Sequence, residues 1–218
     1  MLQKRVYVSC IRADLRGRSK LNTEVNGKIL DPRFSIVSAH AALALQELEL
    51  PTDAAILDVG TGQGYFAISL ALRGYRVLTG EPSTDKSRYA GRAWAENAKE
   101  VGVLDSIRFE AFDAGKMPFD SEAFDAVFFY GVLHHIDEGV RSDVFSEALR
   151  VSKQNGVVVF FEPRKEMLER IWVDDPGHPL AANPSNYLPG HTVIREHRVA
   201  GPLMDILVYQ KAADGPRC

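Results

Sequence analysis

Only two cysteines, Cys10 and Cys218, occur in the 218 residues, and they stand near opposite ends. So sparse a set excludes a disulfide framework and a thiolate metal cluster, and it points to a reducing, cytoplasmic setting. No apolar run approaches the ~20 residues that a membrane span requires. Charge opens the chain without an apolar stretch behind it, so the start does not read as a secretory signal. Nor does one sign of charge dominate. Lys and Arg number 26 against 29 Asp and Glu, for a net charge of −3. A general nucleic-acid binder usually carries a strongly basic domain, so that balance argues against one. Internal repeats and low-complexity tracts are absent as well.

What is present is ordinary for a globular chain: 45% hydrophobic, 25% charged and 9% aromatic residues. The length suits one full-sized domain plus an extension. The charge is unevenly placed. Residues 1–28 hold seven basic and two acidic side chains, a net +5, which leaves −8 for the remainder.

From Ala54 onward, short apolar runs alternate with helical patterns. Ala55–Val59, Arg76–Thr79, Ile107–Phe112, Ala126–Tyr130 and Val157–Phe161 read as five strands. Tyr65–Leu72, Asp85–Glu100 and Arg141–Val151 read as helices between them, with Ser83 or Thr84 as the cap of the second. Asn155-Gly156 reads as the turn after the third. This alternation implies βαβ units and a parallel sheet covered on both faces. Thr192–Val199 and Leu203–Tyr209 are separated by only Ala200-Gly201-Pro202, which permits an antiparallel hairpin but no parallel crossover. The Pro- and Asn-rich stretch between Arg164 and His191 reads as a loop or lid after a short helical piece. Phe34–Leu48 reads as a helix stopped by Pro51.

The most informative segment is Asp58-Val59-Gly60-Thr61-Gly62-Gln63-Gly64, between the first strand and its helix. Glycines there permit a tight turn and close approach of a ligand, and the helix start adds unpaired N–H groups. The spacing is G-x-G-x-G, not the G-x-G-x-x-G of a dinucleotide fold. A carboxylate at Asp58 suits an ammonium better than a pyrophosphate. Glu81 follows 23 residues later, near the usual spacing of an acid that binds a ribose diol. Asp113 ends the third strand run. All three acids thus fall at the carboxyl edge, where ligands of open α/β sheets bind.

The run Ile56-Leu57-Asp58-Val59-Gly60-Thr61-Gly62-Gln63-Gly64 resembles the first motif of the class I S-adenosylmethionine-dependent methyltransferases. Met117-Pro118-Phe119-Asp120, Phe124-Asp125-Ala126-Val127 and Gly131-Val132-Leu133-His134-His135-Ile136 are similar to later motifs of its quinone-biosynthesis-type small-molecule branch. The resemblance covers about Ile56 to Phe161 and, more loosely, the hairpin to Lys211. It implies a Rossmann-like, doubly wound, mostly parallel seven-stranded sheet with an antiparallel C-terminal hairpin and helices on both faces. It implies S-adenosyl-L-methionine as cofactor, S-adenosyl-L-homocysteine as product, and no metal. Asp58, Gly60, Thr61, Gly62 and Gly64 would lie against the methionine part. Glu81 and Pro82 would lie at the ribose, Asp113 and Ala114 at the adenine, and Tyr130 at the end of the fourth strand. The expected division is an extension or cap over 1–51, a cofactor-binding domain over 52–211 and a tail over 212–218.

Methyl transfer from a sulfonium is an in-line displacement, so positioning can supply much of the rate. His134 and His135 are the base candidates, either of which is equally open to a structural role, and adjacent positions suggest that at most one faces the acceptor. Tyr65 or Tyr130 could face the sulfonium by cation–π attraction or simply pack in the core. His40 on the first helix reads as structural. Trp172, His178, Tyr187 and His191 fall in or beside the loop region that commonly meets substrate in this family. The fourth strand ends Tyr130-Gly131, without the Asn/Asp-Pro-Pro-aromatic motif of planar-amine methylation. No Pro-Cys nucleophile occurs, and the acids of magnesium-dependent catechol-type enzymes are missing. A small-molecule acceptor is left as the leading expectation. An RNA or protein methyltransferase gripping a polyanion with the basic arm, a non-catalytic cofactor-binding module and a dinucleotide-dependent oxidoreductase are the alternatives.

Overall fold

A computed structural model describes residues 30–90, 93–190 and 194–211 of the chain. The basic arm, His191, both cysteines and the expected tail lie outside the described residues. The first described helix, α1 (Pro32–Leu48), starts where the Asp31 carboxylate accepts from the Arg33 N–H at 2.7 Å and Pro32 fits the first turn. The sheet follows as β1 (Ile56–Val59), β2 (Val77–Gly80), β3 (Ile107–Phe109), β4 (Phe124–Tyr130), β5 (Ser152–Pro163), β6 (Ile194–Ala200) and β7 (Met204–Lys211). Between them lie α2 (Tyr65–Ala71), α3 (Trp94–Glu100), α4 (Arg141–Val151) and α5 (Lys165–Asp174).

The seven strands lie in the order β3-β2-β1-β4-β5-β7-β6. The first five pair in parallel, and β7 runs antiparallel to both β5 and β6. That is the doubly wound sheet with a C-terminal hairpin that the sequence implies. The register sets Val59 beside Gly80 and Phe129, so β1, β2 and β4 release their loops at one edge.

Central strands alternate between two cores, which is why they read as continuous apolar runs. Ile56, Phe128, Phe161 and Ile206 pack with Phe34 of α1 and Phe66 of α2 on one face. Leu57, Phe129, Phe160 and Tyr209 pack with Phe145 of α4 on the other.

Three expectations need correction. The helical pattern over 85–100 yields only Trp94–Glu100, without a side-chain cap from Ser83 or Thr84. Tyr89 explains much of this: its hydroxyl bonds Asp175 and its ring packs on His135 and His178, contacts that a continuous surface helix would not make. The third strand stops at Phe109, three residues short of its pattern. Asn155-Gly156 is no turn between elements but a bulge inside β5, where pairing jumps from Phe124–Ser152 to Ala126–Val157. A side chain on Gly156 would meet the Phe124 carbonyl at 2.9 Å, so only glycine lets the bulge close on β4.

Candidate functional site

The loop from β1 to α2 is shaped by its glycines. Gly60 sits at φ +86°, and a Cβ there would lie 2.4 Å from Cγ2 of Val132, which stands just beyond β4. The loop is therefore pressed against the β4 exit, and an alanine would have to be strained and clash at once. The Gly60 N–H donates to the Gly80 carbonyl at 2.8 Å, which extends the β1–β2 ladder into the loop.

Beneath the loop is a polar chain inside the sheet. Asp58 is 1% exposed, and Thr79 of β2 donates to its Oδ2 at 2.9 Å. The Thr79 hydroxyl also lies 3.0 Å from the hydroxyl of Thr61 in the loop. Oδ1 of Asp58 has no hydrogen-bond partner. Burial, partly countered by the Thr79 bond and reinforced by the charge of Glu81, pushes the Asp58 carboxyl from 3.8 up to about 7. A folded-state value above the unfolded one means that the folded chain holds the extra proton between the two, so stability falls as pH rises from about 4 to about 7. In ligand-free protein, Asp58→Asn should therefore match the wild type near the low end and exceed it in stability near the high end. Urea melts at the two pH values check this; a constant difference would contradict it.

Glu81 directly follows β2, as the sequence reading places it. Its Oε2 accepts from the Gly62 N–H at 3.1 Å. Pro82 is exposed beside it. Asp113 is not at a strand end but four residues beyond β3. The Phe112 N–H still donates to the Glu81 carbonyl at 3.3 Å, which keeps this segment alongside Glu81. The Asp113 side chain is exposed and accepts from the Gly115 N–H at 2.7 Å, while Ala114 is buried.

Tyr65 packs edge-on against Phe34, with ring centroids 5.8 Å apart, and serves the core. Tyr130 ends β4. Its ring stacks on Phe66 at 5.2 Å, and its hydroxyl meets Nδ1 of His40 at 2.9 Å. His40 is fully buried, and burial pushes it down to about 4, which keeps the ring neutral inside the core. Burial raises the Tyr130 phenol in turn.

His134 and His135 close a single helical turn, Leu133–His135, immediately after this exit. Their ring centroids lie 4.4 Å apart, and both meet His178, at 5.1 and 4.8 Å. His134 is 4% exposed, and its Nδ1 lies 2.8 Å from Oε2 of Glu162 on β5. His135 is exposed at the rim. Desolvation of its ring, then the neighbouring His134 and His178, pushes it down to about 4.

Residues 57–160 match the family described as "Methyltransferase domain". This segment, a little under half of the chain, is similar to that family. Among curated relatives, the release factor glutamine methyltransferase of Chlorobaculum tepidum is 42% identical over 96 residues, covering 41% of this chain and 31% of that protein. The 27-O-demethylrifamycin SV methyltransferase of Amycolatopsis mediterranei is 31% identical over 101 residues, 46% of this chain and 35% of that protein. These matches span about a third of each relative's length. In structure, the chain is similar to a candidate S-adenosyl-L-methionine-dependent methyltransferase of Methanococcus maripaludis, at 15% identity and TM-score 0.68 over 91% of this chain and 94% of that one. The geranyl diphosphate C-methyltransferase of Streptomyces coelicolor A3(2), solved with S-adenosyl-L-homocysteine, aligns at 17% identity and TM-score 0.59 over 80% and 79%. At such identities the likeness concerns the fold.

The described part of the stretch after α5 is tied down by hydrogen bonds. Asp175 is held by Tyr89, the His178 carbonyl accepts from Trp172 Nε1 at 2.9 Å, and the Ala182 N–H donates to Glu162 at 2.9 Å. Tyr187 accepts from Arg141 of α4 at 2.9 Å, so it is tied to α4. Sequence reasoning missed Thr79 and Glu162. Each is a polar residue in an otherwise apolar strand, which is the one available signal that its side chain has a buried partner.

Proposed function

We propose that this chain transfers a methyl group from S-adenosyl-L-methionine to a small molecule in the cytoplasm. One observation carries the reading: the Gly62 N–H and the Glu81 carboxylate meet at 3.1 Å at the carboxyl edge of β1 and β2. This joins a glycine loop to the acid beside it, the pairing that a nucleoside with an attached amino acid requires. The residues fit that ligand. The loop at Gly60, Thr61, Gly62 and Gly64 has no room for side chains at its tightest point. The unpartnered Oδ1 of Asp58 is an acceptor for a cationic ammonium.

In this reading Glu81 and Pro82 hold the ribose, and Asp113 and Ala114 address the adenine. Tyr130 closes the methyl end from β4. S-adenosyl-L-methionine, when bound, supplies an electrophilic methyl. The chain's own contribution is to align the acceptor with it and exclude water, which favours positioning over proton transfer. His135, at the exposed rim, is the residue placed to meet an acceptor proton, and His134 orients the turn through Glu162. In this reading the catalytic domain spans residues 52–211, with α1 ahead of it.

A small acceptor is favoured because the β4 exit is Tyr130-Gly131, without the Pro-Pro motif suited to planar amines, and because the net charge is −3. The test is methyl-labelled cofactor supplied to the full chain with a metabolite extract, total RNA or total protein. Label should enter the metabolite fraction. Label in RNA that falls steeply with salt, or in protein, would overturn the small-molecule reading.

A further inference from the structure

We propose that His134, His135 and His178 form a binding site for one divalent first-row transition ion of the zinc class. One nitrogen from each of the three rings lies within 4.8 Å of the other two. The cluster joins two distant pieces of chain: the turn behind β4 and the strap after α5. It uses none of the residues assigned to the cofactor, but it does use His135, so an ion bound there takes the lone pair that would otherwise meet an acceptor proton and the two roles exclude each other.

The hydrogen bonds behind the rings make this more than a stack of aromatics. Oε2 of Glu162 accepts from the Ala182 N–H at 2.9 Å and faces Nδ1 of His134 at 2.8 Å. A carboxylate so held accepts a hydrogen bond from Nδ1–H of His134, which leaves Nε2 with a lone pair. Nδ1 of His178 lies 2.9 Å from the Pro179 carbonyl, an acceptor only, so Nδ1 donates and Nε2 again carries the lone pair. Histidines backed in this way by a carboxylate and a backbone carbonyl show the outer-shell pattern of ligating imidazoles, with tautomer and ring orientation fixed. Both are nearly buried, at 4% and 7% exposed, so the arrangement is held by packing from two sides.

The donor set selects the ion. A donor group of three imidazoles, with no carboxylate in the group among the described residues, suits zinc, cobalt, nickel, copper or iron over magnesium or calcium. Zn–N bonds of about 2.0–2.1 Å require the rings to turn inward from their present spacing. His135 has the room to do so, because it is exposed at the rim against Tyr89. Three protein ligands leave the fourth tetrahedral position for water or an outside oxygen or nitrogen donor. The site stands without the methyl-transfer reading, because its test reads the metal alone.

The test uses the full chain stripped by a chelator and titrated with Co2+ as a coloured stand-in, followed by competition with Zn2+. One ion should bind per chain, with visible ligand-field bands displaced by zinc. His135→Ala and His178→Ala should each weaken binding by about tenfold or more, and Glu162→Gln by roughly 10–100-fold. His135 is exposed, so its variant should fold and melt as the wild type does, which keeps the comparison valid if the buried variants fail. Three results would each overturn the proposal. They are no saturable binding, an affinity unchanged in His135→Ala, and binding lost in Cys10→Ser or Cys218→Ser but kept in His135→Ala.

Discussion

Phe128→Ala should lower the unfolding free energy by about 3–5 kcal/mol, the usual range for removing a buried phenylalanine. Phe128 is fully buried in the middle of β4, the strand that separates the two cores at the sheet centre. Its ring packs against Phe66 of α2 at 5.2 Å and Phe161 of β5 at 6.4 Å. The space left cannot be refilled by rotation, because Phe66 is already committed to the Tyr130 stack and to Phe161 at 5.1 Å. A domain of this kind is stable by only about 5–15 kcal/mol, so the loss would be a large share of the total. Urea titration measures it. Leu180→Ala is the control: Leu180 is 69% exposed, and its change should stay within about 0.5 kcal/mol. A Phe128→Ala curve that overlays the wild type would mean that the two-faced core is wrongly drawn.

Glu81→Ala should weaken S-adenosyl-L-methionine binding by about 1–3 kcal/mol, or roughly 5- to 150-fold, while leaving the chain folded. The side chain is half-buried and lies at the sheet edge rather than in either core. Its carboxylate accepts from the Gly62 N–H, so one change would remove the proposed ribose acceptor and loosen the glycine loop. Glu81→Gln retains an amide oxygen toward Gly62 and should lose less than alanine. An unchanged affinity in Glu81→Ala, with an unchanged melting curve, would remove Glu81 from the site.

The sheet was legible because its signal is local. Apolar runs such as Ala126–Tyr130 and Val157–Phe161 carry enough β-branched and aromatic residues to identify a strand. The glycine loop, with its acid on either side, identifies the edge that matters. The alternation and the short connection at Ala200-Gly201-Pro202 gave parallel units and a hairpin, but the order β3-β2-β1-β4-β5-β7-β6 is seen only in the structure. Where the reading failed, a long-range contact overrode a local pattern. Residues 85–90 have helical spacing, yet Tyr89 is drawn out to Asp175, His135 and His178. No sequence rule sees a partner more than 40 residues away. The same reason hid the histidine cluster. His134 and His135 were visible as a pair, but His178 reaches them only because Ala182 bonds Glu162 and Trp172 bonds the His178 carbonyl.

Asp58 illustrates a different limit. Its place before the glycines was plain, but nothing in the spacing foretold that Thr79 would hold one oxygen and leave the other buried without a partner. A buried acceptor of that kind is costly in the empty protein. A cationic group arriving beside it would relieve the cost, which ties the stability of the loop to occupation of the site.

The central claim is that the Gly60–Gly64 loop and Glu81 hold S-adenosyl-L-methionine rather than a dinucleotide. Calorimetric titration of the full chain with S-adenosyl-L-methionine, S-adenosyl-L-homocysteine and NAD tests it most directly. The account predicts saturable one-to-one binding of the first two and no heat from NAD. Tight NAD binding with no response to either sulfur compound would contradict it.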